Sequence, residues 1–229
     1  MRRFYKQATA IAGESGYAVN LDGRPLKTPK RNDLILPTQA MADAVVAEWA
    51  GQGDVIDPVS MPVTGLANAA IDHVAADRRA FVAGIAAYGE SDLLCYRATN
   101  PEPLVERQCA VWNPLVEWAG RRYDIALTLV DGIMHEAQPD MTLQRLAAAL
   151  DGFDDFALAA AQPLTTISGS LIVTLALLEG EIDVETAWNA GHLDELWQVE
   201  QWGEDQEAAV MRAHRRQAFE HAATFLTLR

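Results

Sequence analysis

Histidine is the commonest protein ligand for transition metals, and the five histidines of this sequence are scattered. They are His73, His135, His192, His214 and His221, and no HExxH motif joins any two of them. His214 and His221 lie seven residues apart on one predicted helix face, but no third ligand is in range. Because a zinc site needs three or four ligands at defined spacings, the pattern argues against a metal centre, and we expect no cofactor.

Motifs for nucleophilic or phosphate chemistry are also missing from the sequence. It contains no GxGxxG and no GxxxxGK[ST], and Ser170 does not stand in a GxSxG elbow. Cys95 and Cys109 form no CxxC motif, and their spacing is untypical of a disulfide framework, which indicates a reducing compartment. A Cys–His pair stays open, and the acids are too numerous to single out a catalytic pair. A hydrolase of small substrates is therefore an alternative without a positive motif, and we predict a protein that is not an enzyme.

Tryptophan surrounded by polar residues is the most informative surface feature of the sequence. Trp202 lies in the segment 198–205, whose other residues are mostly acids and amides and which contains a helix-stopping glycine. An amphipathic aromatic in this setting is typical of a protein-binding anchor, or of a side chain that covers the base of the last helix. Four other tryptophans continue apolar helical stripes and are predicted to lie in the core: Trp49, Trp112, Trp118 and Trp188.

Charge is distributed unevenly along the chain. The 229 residues contain 32 acidic and 18 basic side chains, a formal net charge of −14. Residues 1–31 carry seven Lys and Arg against two acids, whereas the run from Glu179 to Glu207 contains ten acids and no Lys or Arg. An acidic chain is repelled by nucleic acids and anionic membranes, so neither is expected as a partner. An acidic protein-interaction module that mimics nucleic acid is a further alternative.

The elements that must position these residues change type near residue 38. Apolar residues alternate over 17–21, and Asp22-Gly23 is the dipeptide favoured by type I′ hairpin turns, so we predict a small antiparallel sheet up to Leu36. Thr38 then has the character of an N-cap, and Met41, Val45 and Trp49 recur at helical spacing.

Helical periodicity dominates the remainder of the sequence. We predict helices near 62–77, 79–88, 103–123, 142–150, 153–161, 164–179 and 184–190, and a long one from Glu204. The stretch 125–130 is the one later strand candidate. The apolar stretch Leu164–Leu178 is too short for a typical membrane span and is predicted to be a buried helix. The predicted fold class is α+β, with a small β-rich domain with one helix at 1–58 and a mainly helical domain at 59–229.

Several longer motifs, taken in order, resemble one known family. LDGRPLKTP at 21–29 is followed by EWxxQ at 48–52 and MPxT at 61–64. The other matching segments are Phe4-Tyr5-Lys6, Leu36-Pro37-Thr38, Ile56-Asp57-Pro58, Asp92–Ala98, Gln108 with Trp112-Asn113-Pro114, and Glu200–Glu204. Together they resemble the assembly chaperones of the ATP synthase catalytic head that handle the alpha subunit, found in mitochondria and related proteobacteria. Asn113 departs from this pattern, which has an acid at that position.

The resemblance implies a chaperone that binds a newly made alpha subunit and shields its inter-subunit surface until the beta subunit replaces it. Such surfaces are apolar and aggregate when they are left uncovered. On the family pattern, Glu48, Trp49, Glu200, Trp202 and Glu204 are predicted to bind the client or to hold the binding surface. The first residues are not expected to form an organelle presequence, so we expect a cytoplasmic bacterial protein, or a mitochondrial matrix protein if it is a mature eukaryotic form. We expect it to be monomeric.

Overall fold

The computed structural model describes residues 1–229 and confirms the predicted fold class, with a small antiparallel sheet at the N-terminus followed by a larger helical region. The chain divides into two compact units. The first unit comprises 1–78, 154–160 and 221–229, and the second comprises 79–153 and 161–220. The first continuous run thus extends past the predicted boundary at residue 58. The predicted division into domains at 1–58 and 59–229 stays a prediction.

The sheet of the first unit is built around one central strand. The strands are β1 (Ala8–Gly13), β2 (Gly16–Leu21), β3 (Arg24–Pro25) and β4 (Ile35–Leu36). β2 pairs antiparallel with β1, β3 and β4, and Val19 and Leu21 of β2 are buried. Asp22 and Gly23 have φ values of 49° and 80°, so the predicted type I′ turn is confirmed.

One helix covers this sheet. α1 (Gln39–Ala50) packs against β1 and β2, and Thr38 caps it by accepting a hydrogen bond from the Met41 backbone N–H at 3.2 Å, as predicted. Its stripe of Met41, Val45 and Trp49 is buried, which confirms the periodicity. α2 (Pro62–Ala69) continues into a π-helical turn at Ala70–Val74.

The loop at 28–32 and the π-helical turn are joined through one buried carboxylate in the first unit. Asp72 accepts hydrogen bonds from Thr28 Oγ1 at 2.6 Å, Asn32 Nδ2 at 2.8 Å and the Lys30 backbone N–H at 3.0 Å. Burial acts to raise the pKa of Asp72, but these hydrogen bonds outweigh it and the pKa is lowered. The residues that follow LDGRPL are therefore tied to the helical part of the unit by a charged anchor.

The second unit is mainly helical. From residue 78 onward the helices are α3 (Arg78–Ala86), α4 (Glu102–Tyr123), α5 (Asp140–Asp151), α6 (Asp155–Ser168), α7 (Leu171–Leu178), α8 (Val184–Gly191), α9 (Leu193–Trp202) and α10 (Gln206–Thr227), of which α6 and α10 extend into the first unit. The most buried element of the second unit is α7, in which residues 171–176 are all buried and which packs against α4 and α8. β5 (Tyr96–Arg97) and β6 (Val130–Asp131) form a short parallel ladder.

Three elements differ from the sequence predictions. The predicted helix break near residue 162 was wrong, because α6 continues through Pro163 and the chain breaks at Gly169, where φ is 69°. The predicted strand at 125–130 is reduced to β6, which begins at Val130. α9 was missed, because its polar composition hides an apolar stripe of only two buried residues, Leu193 and Trp197.

A buried carboxylate explains where the chain breaks before α7. Asp92 is fully buried and accepts hydrogen bonds from Ser170 Oγ at 2.7 Å, from the Ile172 N–H at 2.9 Å and from the Leu94 N–H at 3.0 Å. Ser170 in turn caps α7 through the Val173 N–H. Burial raises the pKa of Asp92 to about 6 against these hydrogen bonds.

Candidate protein-binding site

Glu48 of the EWxxQ motif caps a neighbouring helix. Its carboxylate accepts hydrogen bonds from the backbone N–H groups of Val63 at 2.7 Å and Thr64 at 2.8 Å, and from Thr64 Oγ1 at 2.6 Å. These N–H groups belong to the first turn of α2, where Met61 at the N-cap position provides no side-chain acceptor. A negative charge there also interacts favourably with the positive end of the dipole of α2. The first-turn residues of MPxT are therefore the partners of Glu48.

Trp49 lies in the core at the end of α1. It is 8% exposed, and its carbonyl accepts a hydrogen bond from Tyr5 Oη at 2.7 Å. The Tyr5 ring meets the indole edge-on with 5.5 Å between ring centroids. Gln52 completes the motif, since its Nε2 donates to Ser60 Oγ at 3.0 Å and its Oε1 accepts from the Asp57 N–H at 2.7 Å. These contacts give Glu48 and Trp49 a folding role, and their role in client binding stays a prediction.

Trp202, unlike Trp49, is largely exposed to solvent. It is the last residue of α9 and is 78% exposed, whereas Trp197 on the preceding turn is buried. Gly203 ends the helix with φ 84°, a conformation that glycine adopts at little cost. The other interpretation drawn from the sequence was a side chain that covers the base of the last helix, and a tryptophan with 78% of its surface in solvent covers little of it. Its large apolar surface is therefore available to a partner. The role of Trp202 as a protein-binding anchor stays a prediction.

Glu200 lies in the last turn of α9 and is held by an arginine of α4. Both carboxylate oxygens lie 2.8 Å from Nη1 of Arg107, and the guanidinium of Arg107 lies over the ring of Trp197 at 4.7 Å. The hydrogen bond from Arg107 lowers the pKa of Glu200. The side chain of Glu200 remains 51% exposed, so its charge is oriented but accessible to solvent.

Glu204 follows the helix break and pairs with Arg212 of α10. The same arginine contacts Glu195 of α9 at 3.1 Å, so it links the carboxylates on both sides of the turn. Asp205 caps α10 by accepting from the N–H groups of its first turn at 3.0 Å. Glu200 and Glu204 are therefore fixed on either side of Trp202, and the structure brings these three predicted residues together in one turn.

Most carboxylates of the acidic run 179–207 are paired or hydrogen-bonded within the chain. Five of its ten acids form ion pairs with arginines of the second unit, namely Glu179, Glu185, Glu195, Glu200 and Glu204. Asp183 and Asp205 cap helices, and Asp194 accepts a hydrogen bond from Gln108 at 2.7 Å. Because most of these carboxylates have partners within the chain, the run does not form a regular row of free charges.

Two pairs of exposed apolar residues in the second unit were not selected by the sequence analysis. Val210 and Met211, near the start of α10, are 50% and 59% exposed, and Ile133 and Met134, in the loop after β6, are 92% and 77% exposed. Neither pair stands out in the sequence, because single apolar residues at helix starts and in loops are common. Only the structure identifies them as accessible.

The structure places Cys95 in the interior and groups no side chains around a metal position. Cys95 is buried, and burial raises the pKa of its thiol to about 12, so the reactive thiolate is strongly disfavoured. No three side chains among histidine, cysteine, aspartate and glutamate are placed to hold a metal ion. None of the helices combines the length and the apolar character that crossing a membrane requires.

An exposed tryptophan between two anchored carboxylates, on a helical scaffold, is typical of a protein that acts by binding another protein. Comparison with known proteins agrees with this class. A family model described as ATP12 chaperone protein matches residues 2–120, about half of the chain. The chain therefore belongs to the ATP12 chaperone family, which confirms the resemblance to the ATP synthase assembly chaperones.

Individual relatives extend the match over the whole chain. The crystal structure of Atp12 from Paracoccus denitrificans superimposes with a TM-score of 0.93 at 41% identity, covering 99% of this chain and 97% of that one. A protein of Agrobacterium tumefaciens superimposes with a TM-score of 0.92 at 43% identity, covering 99% of this chain and 85% of that one. The mitochondrial protein atp12 of Schizosaccharomyces pombe is 24% identical over 219 residues, which are 90% of this chain and 75% of that protein.

Proposed function

We propose that this chain is a chaperone of ATP synthase assembly that binds the unassembled alpha subunit and shields its inter-subunit surface until the beta subunit replaces it. Membership of the ATP12 chaperone family supports the assembly role and a non-enzymatic mode of action. The observation that carries the choice of site is the 78% exposure of Trp202 between Glu200 and Glu204. We propose a monomer located in the bacterial cytoplasm, or in the mitochondrial matrix for a eukaryotic form.

The chemistry of the Trp202 turn fits a client that must later be released. The indole offers a large apolar contact, and a buried tryptophan at an interface often contributes 2 kcal/mol or more to binding. The surrounding carboxylates are already paired with Arg107 and Arg212, so they form a polar rim instead of strong new ion pairs. One apolar anchor within a polar rim gives moderate affinity, which allows another subunit to displace the chaperone.

The test is co-expression of the isolated alpha subunit with the chaperone, followed by co-purification and a solubility assay. Wild type should keep the alpha subunit soluble, and Trp202→Ser should lose most of this protection because it removes the apolar anchor. Met134→Ser is the matched control, because it removes a comparably exposed apolar side chain from a different surface. Equal protection by wild type and a folded Trp202→Ser would refute this site.

Glu200→Lys tests the charged part of the same surface. The substitution places a second cation beside Arg107, so it should repel that guanidinium and change the charge around Trp202. Exposed ion pairs contribute about 0–1 kcal/mol to folding, so the variant should stay folded while client protection is impaired. Circular dichroism and thermal unfolding check the fold. Normal protection of the alpha subunit by folded Glu200→Lys would contradict the assignment.

A further inference from the structure

The first unit contains an open groove of about 630 Å³ beside the N-terminal segment. Its apolar lining includes Phe4, Pro25, Leu26 and Trp49. Phe4 is 63% exposed and Pro25 is also exposed, so this apolar surface faces solvent and is not packed core. Exposed apolar surface that is concentrated in a groove is typical of a binding site.

The walls of the groove are fixed by specific contacts. Arg3 Nη1 donates to the Gln52 carbonyl at 2.5 Å, and Tyr5 Oη donates to the Trp49 carbonyl at 2.7 Å, so the N-terminal segment is attached to the end of α1. On the other side, the carboxylate of Asp22 accepts from the backbone N–H groups of the two residues after Tyr5, at 2.9–3.1 Å. The groove therefore needs little rearrangement to receive a ligand.

Cations at the rim of the groove are poorly neutralised. Arg24 and Lys27 line it, and Lys27 pairs with Asp33 at 2.7 Å. This is the one ion pair formed by the seven Lys and Arg of residues 1–31. In the second unit, by contrast, most arginines are paired with carboxylates, among them Arg107 and Arg122. Arg24 thus presents a positive charge without a counter-ion beside an apolar groove.

We propose that this groove binds a short segment of a protein partner that combines apolar side chains with carboxylates. The inference rests on the proposed function in so far as the partner is a protein that the chaperone holds. Apolar side chains of the segment cover Phe4 and Leu26, and a carboxylate pairs with Arg24. A long polyanion such as a nucleic acid is disfavoured, because the chain carries a net charge of −14 and Asp22 also lies at the rim.

The experiment uses the full chain and a short synthetic peptide in which glutamate alternates with leucine and phenylalanine. Fluorescence anisotropy of the labelled peptide measures affinity, and NMR of the tryptophan indole N–H groups locates the binding. Trp49 lines the groove and its indole Nε1 has no hydrogen-bond partner, so its resonance should shift. The comparison ligands are a peptide with lysine for glutamate, one with serine for the apolar residues, and a single-stranded oligonucleotide.

Two variants and one control separate the groove from general charge effects. Arg24→Glu should weaken binding about fivefold to tenfold, since it replaces an attraction at the rim by a repulsion. Phe4→Ala should weaken it by a similar factor and leave folding intact, because the ring is largely exposed. Arg79→Glu makes the same change of charge at an exposed position in the second unit and should bind like wild type.

Binding that requires both the acidic and the apolar residues of the peptide, and that falls in Arg24→Glu and Phe4→Ala alone, supports the proposal. The proposal is overturned if the peptide does not bind, if the three variants bind alike, or if the oligonucleotide binds more tightly than the peptide. These outcomes are independent of the co-expression assay with Trp202→Ser. Failure of the groove and failure of the proposed function can therefore be told apart.

Discussion

Arg97 is a buried cation without a counter-ion, and a single substitution should supply one. The side chain is 8% exposed; its Nε donates to the Leu94 carbonyl and its Nη1 to Asn113 Oδ1, both at 2.8 Å, while Nη2 has no partner. Burial lowers the pKa of the guanidinium. The neighbouring Trp112 contributes its ring face at 5.4 Å but no negative charge. We predict that Asn113→Asp stabilises the protein.

The magnitude follows from the geometry of the pair. Two unit charges about 4 Å apart attract each other by about 4 kcal/mol at an effective dielectric constant of 20. Against this stands the cost of partly desolvating the new carboxylate at a half-buried position, and the hydrogen bond to Asn113 that already exists. A net gain of about 1–2 kcal/mol in the free energy of unfolding remains, which in a chain of this length raises the melting temperature by about 2–8 °C.

Thermal and urea unfolding of wild type and Asn113→Asp measure this gain. The control is a double-mutant cycle with Arg97→Met, because the carboxylate should stabilise only where the guanidinium is present. In the Arg97→Met background, Asn113→Asp should therefore be neutral or destabilising, since it then places an unpaired charge in a half-buried position. The reasoning is refuted if Asn113→Asp lowers stability in the wild-type background, or if its effect is the same in both backgrounds.

The other predictions concern buried groups whose contacts are equally defined. Because the folded-state pKa of Asp92, about 6, lies above its unfolded value of 3.8, the folded protein binds the extra proton; the contribution of Asp92 to stability should fall by about 2 kcal/mol as the pH rises from 4 to 7. Urea unfolding of wild type and Asp92→Asn should show this as a pH-dependent difference, and a constant difference would contradict it. Glu48→Ala removes the acceptor for the first turn of α2 and should cost about 1–2 kcal/mol in urea unfolding; Glu106→Ala, at an exposed position, should cost little. Trp49→Arg places a charge in the core and should lower the free energy of unfolding by at least about 3–5 kcal/mol. A variant that melts like wild type would contradict a folding role for Trp49 and favour a role in client binding.

Local signals predicted the parts of the fold that depend on neighbours in the sequence. The Asp22-Gly23 turn, the Thr38 cap and the long helix after Pro101 are each encoded within a few residues, and all are present. The break before α7 is different, because a carboxylate some eighty residues away in sequence, Asp92, fixes Ser170 at the helix start. A proline is a strong local indication of a helix end, but it has only a limited effect inside α6, where packing supports the helix on both sides of Pro163.

For the candidate site, too, the sequence gives only part of the information. Glu48 and Trp202 were selected together from the family motifs, yet Glu48 accepts three hydrogen bonds from α2 while Trp202 has most of its surface in solvent. A motif identifies a residue type, but it does not show whether that residue supports the fold or contacts a partner. Burial and hydrogen bonding supply that distinction, and they divide the five predicted residues into a folding pair in the first unit and an accessible turn in the second.

The ion pairs within the chain change the interpretation of its charge distribution. The acidic run 179–207 contains ten acids and no Lys or Arg, but its carboxylates are largely paired with arginines or cap helices within the second unit. The cations of residues 1–31 are by contrast largely unpaired, since one of the seven forms an ion pair. Because the whole chain carries a net charge of −14, their attraction for carboxylates is confined to short range, as at Arg24 in the groove. The two proposed surfaces therefore differ in chemistry: the groove offers a local positive charge, whereas the Trp202 turn offers chiefly apolar contact.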